Sequence, residues 1–176
     1  KQRLGNFDRH ILNSAGIVRF PQAHYEMVRL GIGAYGIASA EEDQNSLENV
    51  LALKSTITQI KNVAAGESVG YNRSSRLDQN GVIGIVPIGY ADGLPRTLSN
   101  GKASLYVRGQ AAPIIGAVCM DMCMIDLTGL TANEGDEVVV FDANYSIERL
   151  ADASNTIAYE LLTRISRRVK RVYIQE

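Results

Sequence analysis

Tyr90 ends an apolar run that begins at Val82 and is enclosed by glycines, in the order Gly89-Tyr90-Ala91-Asp92-Gly93. A simple turn closes more readily with Asn-Gly or Asp-Gly, so a tyrosine between two glycines reads as a group presented to something. Tyr71 follows Gly70 in a second turn, and a third polar group, Cys119-Met120-Asp121, interrupts another apolar stretch. A presented phenol can donate a hydrogen bond, narrow an entrance or move a proton. Cys119 and Cys123 raise two further chemistries, a metal clip and a disulfide. Ala112 to Leu127 reads as one strand, however, with apolar residues Ile114, Ile115, Val118, Met120, Met122, Met124 and Leu127. Four residues of strand at about 3.3 Å each would hold the sulfurs roughly 13 Å apart, too far for a shared ion or a bond. No metal site is expected, and two free thiols fit a reducing compartment.

The elements that position these residues fall into two groups. Ile11-Leu12 precedes Asn13-Ser14-Ala15-Gly16; the pattern then predicts a short helix from Pro21 to Met27, with proline in its first turn, and a strand from Val28 to Gly36. Two parallel strands joined by a helix leave sheet faces bare, so the rest of that layer is expected upstream. Polar residues between Ser39 and Asn49 break the pattern and divide the chain into residues 1–46 and 47–176, with a second set of strands starting near Leu51. Leu51 to Ile60, Val69 to Tyr71, Val82 to Tyr90, Ala103 to Val107, Ala112 to Leu127 and Glu137 to Phe141 are short strands separated by turns, a mainly antiparallel β-domain. Ile157, Leu161, Leu162, Ile165 and Val169 recur at helical spacing, with Arg164, Arg167, Arg168, Lys170 and Arg171 interleaved. That pattern predicts an amphipathic C-terminal helix. The fold class is α+β.

Composition narrows the partners. With 176 residues, 45% of them hydrophobic, the chain holds one or two domains. A net charge of -1 from 18 basic and 19 acidic residues supplies no field for nucleic acid or anionic lipid. No apolar run approaches the roughly 18 residues of a membrane span, and the start, Lys1-Gln2-Arg3-Leu4-Gly5-Asn6, has no hydrophobic stretch behind it. A cytoplasmic location is expected. The chain opens without methionine on a polar stretch, and so reads as part of a longer polypeptide.

Taken in order, His10-Ile11-Leu12-Asn13-Ser14-Ala15-Gly16, Met27 to Ile32, Val69-Gly70-Tyr71, Gly89 to Gly93, Cys119-Met120-Asp121 and Ile157-Ala158-Tyr159-Glu160 resemble the motifs of the pyridoxal-phosphate-dependent alanine racemases. The resemblance covers nearly the whole chain. It implies the end of a (β/α)8 barrel over residues 1–46 and that family's C-terminal β-domain over residues 47–176. It further implies pyridoxal 5'-phosphate as cofactor, with its phosphate held by the Ser14 hydroxyl, the amides of Gly31 and Ile32, and the Tyr159 hydroxyl. These are neutral donors, which would explain a phosphate site without a lysine-rich loop. Arg29 would donate to the pyridine nitrogen, and its guanidinium, which keeps its proton near neutrality, would leave that nitrogen unprotonated. His10 would orient Arg29; taken alone, His10 reads as a core histidine at a strand start, and Arg29 as half of a surface ion pair.

The same resemblance makes Tyr71 one of two bases on opposite faces of the substrate, the other being a lysine that also forms the Schiff base. Phenols titrate near 10, so a base of this type needs a hydrogen-bonded neighbour, implied to be a histidine upstream. The family has glycine after this tyrosine where Asn72 stands here, a residue that tolerates the same positive φ. Met120 would offer its amide to the substrate carboxylate, between Cys119 and Asp121 as supporting neighbours. Tyr90 would narrow the entrance to small substrates, backed by Arg96. The lysines present, Lys1, Lys54, Lys61, Lys102 and Lys170, match none of the Schiff-base context, so the chain alone is expected to be inactive. A homodimer is implied, with Tyr71 and Met120 serving the partner's cofactor, and the activity would supply D-alanine for peptidoglycan. Two alternatives stand beside this one: a racemase for another small amino acid such as serine, and a non-catalytic dimerisation module. His24 has no assigned role and is expected at the surface.

Overall fold

Asn13 begins the first regular element. Its side-chain oxygen accepts a hydrogen bond from Gly16 N at 3.0 Å, which caps helix α1, Ser14–Arg19, and satisfies one of the amides that a helix start leaves unpaired. In the computed structural model, which describes residues 5–39, 41–71 and 75–174, contacts divide the chain into two units, 1–51 and 52–176. The turn expected at Asn72 lies outside the described residues, as does Lys1.

In the first unit a parallel bridge joins His10 to Met27, and Arg29 N donates to Leu12 O at 2.8 Å. The two segments are therefore parallel across an intervening helix, as expected, but the helix lies earlier than predicted. Pro21 restricts Phe20 to a non-helical backbone (φ -131°, ψ 61°) and ends α1, so Pro21–Ala23 makes only a 3-10 turn where a helix to Met27 was expected. The predicted strand from Val28 to Gly36 is reduced to the bridge region and is followed by a second 3-10 turn, Ile32–Tyr35, closed by Gly36. A third covers Glu41–Ser46. His24 is half-buried rather than at the surface, with Nε2 at 2.8 Å from Ile17 O.

The second unit is built on a seven-stranded sheet. Its strands are β1, Leu53–Thr56; β2, Gln59–Val63; β5, Gly81–Val86; β6, Ser104–Val107; β7, Gln110–Ile115; β8, Cys123–Asp126; and β9, Glu137–Phe141. Their order is β1-β9-β6-β7-β8-β5-β2, and every described pairing in the sheet is antiparallel. A short pair, β3 (Ser68–Val69) with β4 (Ser75–Arg76), stands apart. The single series read from Leu51 to Ile60 is in fact two strands. Ile57 N donates to Asp136 O and Thr58 N to Ile85 O, so the chain leaves the β9 edge and joins the β5 edge within two residues. The sheet consequently curls until its two edges are joined by that short connection. Leu105, Ile114, Ile125 and Val138 are fully buried in its core.

Three further departures have local causes. The expected strand over Ala112 to Leu127 is split into β7 and β8, because Gly116 takes a positive φ of 70° and residues 116–122 leave the sheet. The extended-strand argument for separating the sulfurs therefore does not hold, although both cysteines are free. The run to Tyr90 stops as a strand at Val86, since Pro87 has no amide to continue the ladder. The C-terminal helix ends early: α2 is Ile147–Ala153, absent from the sequence prediction, and α3 is Ala158–Arg164. Beyond it Ile165 turns extended and Ser166 N donates to Asp92 O at 3.1 Å, a bond outside any helix.

Candidate active site

In the first unit, Ser14 and Ile32 are the enclosed members of the expected cofactor residues, Ser14 8% exposed at the start of α1. Its Oγ accepts from Gly31 N at 3.0 Å and from Gly33 N at 3.2 Å. Both acceptor positions are thereby filled, which leaves the hydroxyl proton to be donated outward. Gly31 N is spent on Ser14 rather than left for a ligand, whereas Ile32 N has no hydrogen-bond partner among the described residues. The donors that remain are neutral, and they suit a phosphate or a similar anion. Arg29 is exposed and its Nη2 donates to Ile11 O at 2.6 Å, while His10 is exposed and pairs through its backbone with Met27.

In the second unit, β5 and β8 set the geometry. Val86 is opposite Cys123, so the segments leaving these strand ends run side by side. Tyr90 N donates to Cys119 O and Ala91 N to Met120 O, each at 3.0 Å. A Cβ at Gly89 would run into the carbonyl oxygens of Cys119 and Met120, which explains why the tyrosine is preceded by glycine. Leu94, Leu98 and Val118 are buried on either side and anchor the two turns, and Ser99 Oγ accepts from Val118 N at 2.9 Å. Tyr90 and Met120 remain exposed above these anchors, and the Met120 amide has no partner among the described residues.

Tyr71 borders an open cleft of about 610 Å³ that is also lined by Cys119, Met122, Met124, Lys61 and Glu67. It is 71% exposed and follows Gly70, whose φ of 78° favours glycine; a Cβ there would also press on Met124 Cε at 3.1 Å. The structure thus brings Tyr71, Cys119 and the 89–93 and 119–121 turns to one region of this unit. Tyr159 lies on α3, exposed, with Ala158 and Leu161 buried beside it. The adjacent Glu160 accepts from Thr156 Oγ1 and Arg164 Nη2, which hold its carboxyl below the usual range.

Burial pushes the Cys119 thiol up, against the opposing charge of nearby Arg96, and pushes the Cys123 thiol up to about 12. A thiol raised in the folded state resists ionising while the unfolded chain ionises near its ordinary value. Stability is therefore complete below about pH 9 and falls as pH rises from there through about 12, by about 1.4 kcal/mol per pH unit for one such group. Urea melts of wild type and Cys123→Ala at pH 7 to 11 should show that alkaline slope in the wild type and a shallower one in the variant. Equal slopes would contradict it.

Sequence reasoning missed Arg168. Its Nε donates to Asp92 Oδ1 at 2.7 Å and its Nη2 to Asp121 Oδ1 at 2.6 Å, tying both turns to the segment after α3. The available signal was an acidic residue in each motif, Asp92 and Asp121. Among the described residues no group of three or more His, Cys, Asp or Glu side chains is placed to hold a metal ion.

Residues 50–173 match the family model described as alanine racemase, C-terminal domain. Alanine racemase 1 of Clostridium acetobutylicum is 43% identical over 175 residues, covering 95% of this chain and 45% of that protein. Alanine racemase from Streptomyces coelicolor A3(2) superimposes with a TM-score of 0.89 at 36% identity, over 96% of this chain and 46% of its own. The alanine racemase from Bartonella henselae with covalently bound pyridoxal phosphate gives 0.87 at 32% identity, over 97% and 48%. The chain spans about half the length of the curated relatives it matches. At this identity, and with two turns locked backbone to backbone beside a tyrosine-bearing cleft, the chain belongs to the alanine racemase family and carries its C-terminal domain.

Proposed function

We propose that the protein of which this chain is part racemises alanine with pyridoxal 5'-phosphate. The observation that carries this reading is the joined pair of turns, 89–93 and 119–121, beside the Tyr71 cleft. Bound cofactor supplies the electron sink without which an amino acid's α-proton is too weakly acidic for any side chain to remove. Ser14 donates its remaining hydroxyl proton to the phosphate, with Ile32 N beside it and Tyr159 as a further donor. Gly31 contributes indirectly, since its amide fixes the Ser14 oxygen. Arg29 faces the pyridine nitrogen as a cation that does not give up its proton, and His10 steadies that region. Met120 N receives the substrate carboxylate, and Tyr90 limits the size of what enters. Tyr71 Oη takes or returns a proton on one face, while a lysine elsewhere in the protein serves the other.

The exposure of Tyr71, Tyr90 and Met120 supports a site completed by another polypeptide. We therefore assign a homodimer in which Tyr71 and Met120 serve the partner's cofactor while Ser14, Arg29, Gly31, Ile32 and Tyr159 hold the chain's own, in a cytoplasmic enzyme that provides D-alanine for peptidoglycan. Among the described residues no helix is long and apolar enough to cross a membrane. This chain without the Schiff-base lysine is expected to be inactive. The test is to express the whole protein, supply L-alanine in D2O, and follow D-alanine and α-deuterium. Formation of both supports the reading; turnover of serine alone would transfer the assignment to another small amino acid, and the absence of exchange with any amino acid would leave a non-catalytic module.

A further inference from the structure

The contacts around Arg168 reach further than one turn. Asp92, only 13% exposed at its side chain, receives Arg168 Nε on Oδ1 and its own turn's Gly89 N on Oδ2 at 2.8 Å. Asp121 accepts from a second nitrogen, Nη2, of the same guanidinium. Behind Arg168, the Arg171 side chain bonds the carbonyls of Ile165, Ser166 and Val169, stiffening the segment that leaves α3. Ser166 N on Asp92 O closes the loop. Arg168 and Asp121 are about half exposed, so solvent screens these ion pairs and they contribute little to stability. What a planar donor with its N–H groups at fixed angles adds is direction: it orients two carboxylates in one rigid geometry, which the rotatable ammonium of a lysine does not impose.

We propose that Arg168 is a positioning residue for the substrate carboxylate, fixing the Met120 amide and Tyr90 relative to α3 and its Tyr159. The proposal rests on the racemase reading. It makes one stiff piece, from α3 through Arg168 to the two turns, responsible for holding two anions: the cofactor phosphate at Tyr159 and the substrate carboxylate at Met120. Loss of Arg168 frees the Met120 turn without removing any group that touches the reacting atoms.

The experiment uses the whole, cofactor-loaded protein as wild type, Arg168→Ala, Arg168→Lys and Asp121→Asn. Propionate serves as a carboxylate probe that lacks the amine. Arg168→Ala is expected to raise KM for alanine and the propionate inhibition constant by about tenfold each, the scale of one charge-assisted hydrogen bond, with kcat changed less than about threefold. Arg168→Lys should recover part of that loss and Asp121→Asn reproduce part of it. Hydrogen exchange, a readout independent of turnover, should show the Tyr90 and Ala91 amides losing protection in Arg168→Ala. An active wild type whose Arg168→Ala variant keeps its KM, propionate constant and amide protection overturns this inference alone. So does a variant in which kcat and melting temperature fall while KM holds. A wild type that exchanges no α-proton of alanine overturns the racemase reading and this inference with it.

Discussion

Tyr71→Phe in the whole protein is expected to lower racemisation by about 10³-fold, within the range for removal of a positioned acid or base. Enantiomers are of equal energy, so kcat/KM must fall equally in the two directions, and a rate comparison alone would not identify the base. Isotope exchange would. With the phenol gone, one enantiomer should still take up α-deuterium from D2O through the remaining base, whereas the other should not. The substitution removes a single oxygen from a side chain that is 71% exposed, so the melting temperature should stay within the small range typical of surface changes. Symmetrical loss of exchange for both enantiomers would sink the role assigned to Tyr71.

Gly89→Ala should be the most damaging small substitution in the second unit. Its added methyl would run into two backbone carbonyls, Cys119 O and Met120 O, and neither is the end of a flexible side chain that could swing away. Relief requires the 89–93 and 119–121 turns to separate, which breaks the Tyr90 N and Ala91 N hydrogen bonds. At about 1 kcal/mol for each bond plus the cost of overpacking, the loss is about 3 kcal/mol. Urea melts read the stability, and KM for alanine should rise more than tenfold as the Met120 amide moves, a change of more than about 1.4 kcal/mol in binding. Wild-type values for both would contradict the close approach seen at Gly89.

The antiparallel β character and the motif turns were legible because each has a local signature. β5, β6 and β9 carry apolar runs, and Gly70 and Gly89 mark the turns that need them. What was not legible depends on partners far away in sequence. Residues 116–122 look like strand by composition, yet they leave the sheet because Cys119 O and Met120 O are taken by the turn at 89–93. Ile165 and Val169 continue the helical spacing of α3, yet the helix ends where Ser166 and Arg168 turn to Asp92 and Asp121. Ser14 was expected ahead of a helix at Pro21 to Met27, whereas it opens α1, and neither that start nor its acceptance of Gly31 N and Gly33 N could be read from spacing.

The curled sheet also bears on how the chain is made. β1 is an edge strand whose sheet partner is β9, and Leu53 meets Phe141, about ninety residues later. On a ribosome adding roughly 5 to 20 residues per second, β1 waits roughly 5 to 20 seconds for the strand that covers it. Over that interval it is an unpaired edge able to join another nascent chain. Lys54 lies on that edge, bound for an ion pair with Glu137 at 3.0 Å, and until β9 arrives its bare charge discourages the wrong strand from docking.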